Sequence, residues 1–231
     1  MKKEILNGLN VYSFNSSEDL VACIESSKKI YVAINSDKIV FSDTHLKKII
    51  NSNIGYTDGI GAVWALRQKG LKSTIKISGS DLWINVLNKL YKSHSFYFIG
   101  GSQLVIEKVI LKIQENFPNI RIAGWRNGYF TPEQKESILE DIENTNPDII
   151  FVAMGSPKQE LFMQEIFVRY KASLLGLGGS FDIYAGIKKR APRIFLKLNI
   201  EFLYRYLFNN IKWHRIMSDF KFFLMLIFRR L

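Results

Sequence analysis

Short runs of consecutive apolar residues alternate along this chain with longer stretches in which apolar positions recur every three or four residues. The runs at 30–34, 53–57, 95–99, 120–123, 148–154 and 173–177 read as buried strands. The stretches at 37–50, 59–69, 81–91, 103–117, 132–144 and 158–170 read as amphipathic helices. In the helix expected over 103–117 the apolar positions Leu104, Val105, Val109, Ile110 and Ile113 gather on one side. Pro132 falls at a first-turn position that tolerates a missing N–H. Strands in regular alternation with helices of 10 to 15 residues predict an α/β fold, a Rossmann-like, mostly parallel sheet wrapped by helices.

Several expected strands run into glycine: Gly100-Gly101-Ser102, Gly155-Ser156-Pro157 and Gly178-Gly179-Ser180. In an open parallel sheet a ligand sits beyond the carboxyl ends of the strands, where such turns let backbone amides approach it. The same glycines are also what ordinary strand-to-helix geometry requires, so each by itself is ambiguous. Polar side chains collect at the same edge: Asn35 after IYVAI, Asp58 after IGYT, Lys158-Gln159-Glu160 after VAMGSP, and Asp182 after GLGGSF. A carboxylate there is placed for general-base work. Helix capping is the plain alternative for Asp58 and Asp182, and the pattern leaves both open.

Charge changes the picture at the C-terminus. The chain has 231 residues, 32 Lys plus Arg against 21 Asp plus Glu, and a net charge of +11. Residues 188–231 carry 11 of the basic residues and only Glu201 and Asp219 as acids, together with ten of the 31 aromatics. The expected organisation is therefore an α/β core over 1–187 and a helical, basic and aromatic appendage over 188–231. A basic segment containing FFLMLIF fits an interfacial membrane helix; a helix packed on the core and a nucleic-acid patch are the alternatives. No apolar run approaches the roughly 20 residues of a spanning helix. The N-terminus has no h-region of a signal peptide, and one cysteine, Cys23, forms no internal disulfide.

Some signatures fail. Gly59-Ile-Gly61-Ala-Val-Trp64 puts Trp where a dinucleotide fingerprint needs its third glycine, and no GxxxxGK[ST] loop occurs. His45, His94 and His214 lack ligand spacing, and no DxD pair is present to hold a metal–nucleotide complex. Metal-independent chemistry without a cofactor is the economical expectation.

The strings VAIN (32–35), YTDGIG (56–61), SGSDLW (78–83), FIGG (98–101), GYF (128–130), VAMGSPKQE (152–160), GLGGSFDIYAG (176–186), KRAP (189–192) and EFLYR (201–205) resemble, in order, the WecG/TagA/CpsF glycosyltransferase family. The wording is most similar to the branch whose donor is UDP-N-acetylmannosaminuronic acid; the wall teichoic acid branch uses UDP-N-acetylmannosamine. The resemblance implies inverting, metal-independent transfer of such a sugar to the 4-hydroxyl of GlcNAc on undecaprenyl diphosphate. It also implies a cytoplasmic enzyme peripheral on the inner face of the bacterial plasma membrane, with the appendage on anionic lipid.

Carried over by motif, Asp58 is the base, and Asn35 and Gln159 hydrogen bond the sugar or acceptor. Gly100, Gly101, Gly155, Lys158, Glu160, Gly179 and Asp182 line the substrate site. Departure of UDP falls to Lys76, Arg190, Arg193, Arg205, Lys212 and Arg215. The chain departs from the family pattern in having Lys76 where Arg is usual, a point charge in place of a bidentate fork. It also has Asn209-Asn210 where Glu-Pro or Gln-Pro is common. A non-catalytic nucleotide-sugar binding module and a nucleic-acid binder are the competing readings; the second lacks any reader motif, so no nucleic-acid partner is expected. Self-association into a homo-oligomer stays open.

Overall fold

The computed structural model describes residues 1–197, 201, 204 and 213–231, with side chains at 197 and 213–215 left aside. Eight strands form one sheet: β1 (Lys2–Leu6), β2 (Leu9–Ser13), β3 (Ile30–Ile34), β4 (Ile54–Thr57), β5 (Ser95–Gly100), β6 (Arg121–Arg126), β7 (Ile149–Ala153) and β8 (Ser173–Gly176). Their order is β1-β2-β4-β3-β8-β7-β5-β6. Only the β1–β2 pair is antiparallel; every other neighbour pair is parallel. The mostly parallel α/β architecture expected from the alternation is the one observed.

Eleven helices are described: α1 (Ser17–Ser26), α2 (Ser36–Phe41), α3 (Thr44–Asn51), α4 (Ile60–Gln68), α5 (Gly79–Leu90), α6 (Gln103–Asn116), α7 (Pro132–Thr145), α8 (Lys158–Arg169), α9 (Ser180–Tyr184), α10 (Arg193–Lys197) and α11 (Trp213–Ile227). They cover both faces. The central strands are apolar at successive positions because each face needs its own row: Phe96 and Phe98 pack with α1, α5, α6 and α9, while Tyr97 and Ile99 pack with α3, α4, α7 and α8. Trp83 of α5 anchors the first layer, edge-on to Phe151, Phe181 and Tyr184.

One expectation needs correction. The helix expected over 37–50 is two helices, since Ser42 turns extended and the Asp43 carboxylate accepts from Leu46 N–H at 2.7 Å to start α3. A side chain that offers the backbone a local partner restarts the helix there. The first 26 residues, read only for a leader, form a hairpin and α1. Asn7 (φ 46°) and Gly8 (φ 81°) make the tight turn, and Leu6, Leu9 and Val11 are buried.

In α11, Phe222 and Ser218 are buried. Phe222 lies so close to Gly61 that a methyl group there would sit 2.7 Å from its ring. Ser218 Oγ donates to Asp37 at 2.8 Å, Ser36 Oγ to Asp219, and Gln68 Nε2 to the Leu226 carbonyl at 3.2 Å. The helix therefore covers α2 and α4 while Met217, Phe220, Leu224, Ile227 and Phe228 face outward. Phe222→Ala is expected to cost about 3–5 kcal/mol, the usual range for emptying a buried aromatic site. Phe220→Ser should stay within about 0.5 kcal/mol. Urea unfolding of the two variants checks the difference.

Candidate active site

From β3 to β4 and from β7 to β8 the chain steps one way along the sheet, and from β5 to β6 the other way, so the strand order reverses between β7 and β5. Beyond the carboxyl ends of strands at such a switch point a crevice opens. Asn35 follows β3, Asp58 follows β4, the Gly155 turn follows β7 and the Gly178-Gly179 turn follows β8, so the topology brings the predicted residues from four distant segments to one edge.

Asp58 is partly exposed. Its backbone N–H donates to the Ile34 carbonyl at 3.0 Å, tying the end of β4 to β3, and its Oδ1 accepts from Gly79 N–H at 2.9 Å. The carboxylate thus caps α5, a distant helix, while Gly59 stands at the start of α4, which follows it. Its position is fixed by a helix N-terminus, and Oδ2 has no partner among the described residues. Asn35 also caps: its Oδ1 accepts from Lys38 N–H at 3.0 Å to start α2.

Gln159 and Glu160 are buried. Gln159 Oε1 accepts from Gly178 N–H at 2.9 Å, and its Nε2 donates to Glu160 Oε1 at 3.0 Å. Lys38 Nζ sits 3.2 Å from the same oxygen. The three side chains hold the turn after β8 to the start of α8. Gln159 therefore shapes the wall, its carbonyl oxygen being engaged by the backbone. Gly155 (φ 77°) and Gly178 (φ 58°) have nothing within 4 Å of where a side chain would project, so the left-handed backbone and not crowding calls for glycine at both turns. Gly100 is different: a methyl group there would lie 2.2 Å from the Ala153 carbonyl oxygen, and packing against β7 accounts for it. The Gly101 carbonyl accepts from Gly128 N–H at 2.8 Å, fastening the loop after β6.

A cavity of about 240 Å³ opens beside Gly79, lined by Ser80, Asp81, Trp83, Ser180, Tyr184 and Arg190 among others. Arg190 forms a fork with Asp81, both N···O distances 2.6 Å. These bonds, with Glu201 adding to them, keep its guanidinium protonated more firmly than usual. The KRAP segment is thereby bound to the first turn of α5. Asp182 pairs with Lys188 at 2.5 Å, Gly179 starts α9 beside it, and Lys76 lies 3.9 Å from Glu201. Lys158 leans the other way, donating to the Gly128 carbonyl at 3.1 Å with its ammonium over Tyr129 and Phe130. Arg193 is exposed on α10. Arg205, Lys212 and the side chain of Arg215 lie outside the described residues.

Three participants escaped the sequence reading: Lys38, Tyr56 and Asp81. Lys38 sits inside a segment that reads as ordinary helix, and only burial marks it; Tyr56 opens the YTDGIG string, but there it reads as a strand residue. Asp81 stood in the SGSDLW string, yet its partner lies 109 residues away. The Tyr56 hydroxyl is fully buried and has no hydrogen-bond partner among the described residues. Burial, then the negative charges of Asp58 and Glu160, push its pKa well above the ordinary tyrosine value.

The architecture is that of an α/β protein with a mostly parallel sheet whose candidate residues gather at the carboxyl ends of the strands. The sequence matches the family model described as glycosyl transferase WecG/TagA/CpsF over residues 6–231. The chain belongs to that glycosyltransferase family, whose chemistry joins a nucleotide-sugar donor and a glycosyl acceptor. Among the described residues no helix is long and apolar enough to cross a membrane.

Proposed function

We propose that the protein is an inverting glycosyltransferase that moves an N-acetylmannosamine-type sugar, the uronate or its uncharged parent, from UDP to GlcNAc on undecaprenyl diphosphate. The observation that carries the reading is Asp58: a carboxylate at the crevice, one oxygen held by Gly79 N–H. Oδ2 takes the proton of the acceptor 4-hydroxyl as that oxygen attacks the anomeric carbon. The bond from that carbon to the β-phosphate oxygen breaks on the opposite side, and UDP carries the electron pair away.

Negative charge then builds on the diphosphate, and preorganised donors stabilise it as it forms. The uncrowded backbone of the Gly155 turn suits that task, with Lys158, Arg193 and the basic residues of 205–215 as cations. Metal independence rests on the absence of a DxD pair from the sequence. The outward row of α11, Met217, Phe220, Leu224, Ile227 and Phe228, lies near Lys221, Arg229 and Arg230. Such a face settles into the interface of an anionic bilayer, where a lipid-linked acceptor is presented.

The test is incubation of the purified protein with synthetic GlcNAc diphospholipid and a panel of UDP-sugars, with and without EDTA, reading product mass. One N-acetylmannosamine-type donor should give a product heavier by one sugar in both conditions. No product from any donor would leave a non-catalytic binding module as the better account. Loss with EDTA, restored by Mg²⁺, would overturn the cation-side-chain account of UDP departure.

A further inference from the structure

We propose that Tyr56 is a positioning residue for the base, its hydroxyl donating to the Asp58 carboxylate when the acceptor is seated. The inference deepens the reading of Asp58 as base and rests on it. Tyr56 lies two residues before Asp58 on β4 and is 0% exposed. Its hydroxyl has no partner among the described residues, although leaving a buried hydroxyl unpaired is costly and rarely tolerated without a reason. The hydroxyl reaches the start of α5, where a methyl group on Gly79 would lie 3.2 Å from Tyr56 Oη and 4.0 Å from Asp58 Oδ1. The base, the amide that holds it and the unpaired hydroxyl therefore meet around one glycine.

Deprotonation of this phenol is disfavoured by its burial and by the two nearby carboxylates, so the hydroxyl is a lasting donor. Two anions face it: Asp58 from its own strand end and Glu160 from α8. Glu160 Oε1 already takes Lys38 and the Gln159 amide. Its Oε2 is buried without a partner, which makes it the competing acceptor. Asp58 is the one of the two at the crevice. A small shift of the first turn of α5 on acceptor binding brings its carboxylate and the hydroxyl together, fixing which oxygen points at the incoming 4-hydroxyl.

Tyr56→Phe tests this, because it keeps the ring and removes only the unpaired oxygen. The melting temperature should hold or rise. Turnover with the lipid acceptor should fall about tenfold with KM little changed. The acid limb of the kcat profile, which reports the bound complex, should move up by about one pH unit, since the carboxylate loses a donor that favours its charged form. Carboxyl ¹³C titration of the acceptor-analogue complex gives the same comparison without turnover: the Asp58 signal should titrate higher in the variant and the Glu160 signal should not. Unchanged kcat and an unchanged Asp58 titration would overturn the proposal. So would a shift confined to Glu160, or a fall in melting temperature, which would show the hydroxyl to be paired in the folded protein. Absence of any sugar transfer by the wild-type protein sinks the reading of the reaction instead, and the titration still decides whether Tyr56 acts on Asp58.

Discussion

Asp58→Asn is expected to lower turnover by about 10²- to 10⁴-fold while leaving the fold intact, the loss typical of a removed general base. The substitution is close to isosteric, and an asparagine Oδ1 can still accept from Gly79 N–H, so the cap on α5 survives. What disappears is the ability to take a proton. Steady-state kinetics with the lipid-linked acceptor, alongside a melting curve, separates the two effects. Near wild-type turnover would mean that another group at the edge is the base, and no other carboxylate there is comparably placed. Glu160 is buried against Lys38 and Gln159, Asp182 is paired with Lys188, and Asp81 is forked to Arg190.

Lys38→Met should destabilise the protein by about 3–5 kcal/mol, the range for removing one partner of a buried ion pair. Lys38 and Glu160 are 7% and 0% exposed, so the carboxylate left behind has no solvent to turn to. Combining Lys38→Met with Glu160→Leu should recover most of that loss, because the cost lies in the uncompensated charge more than in the pair itself. Urea unfolding of the single and double variants measures the difference. Activity should not recover with stability. The double variant lacks the Glu160 oxygen that orients the Gln159 amide, and Gln159 in turn holds Gly178 N–H at the crevice. An active double variant would show the turn after β8 to be held well enough by its own backbone.

The layered fold was legible because its causes are local. The six strands read from apolar runs and the helices between them occur where the periodicity placed them, within a few residues at each end. The hairpin at the N-terminus also carried a local signal, Asn7-Gly8 between alternating apolar positions, which a search for a leader passed over. The break at Asp43 was written in the sequence too, as a capping residue inside a helical stretch. Residues 213–227 show what periodicity leaves open. An amphipathic helix announces that it has an apolar side but not what that side meets, and α11 divides its aromatics: Phe222 goes to the core beside Gly61, Phe220 outward.

By itself, then, the sequence determined the class of fold and the family, and through the resemblance offered Asp58 as the carboxylate to test, since strand ends, glycine turns and motif strings are properties of neighbours in the chain. Only the tertiary structure decided which groups are spoken for. Asp58 is held by an amide 21 residues on, Gln159 by one 19 residues on, and Arg190 by a carboxylate 109 residues back. That the Tyr56 hydroxyl lacks a partner among the described residues is likewise a result of packing. A hydrogen bond or ion pair across the fold depends on the separation of two atoms to a few tenths of an ångström, and that separation is a result of packing two helical layers on a sheet, not of any pattern in the residues that form the pair.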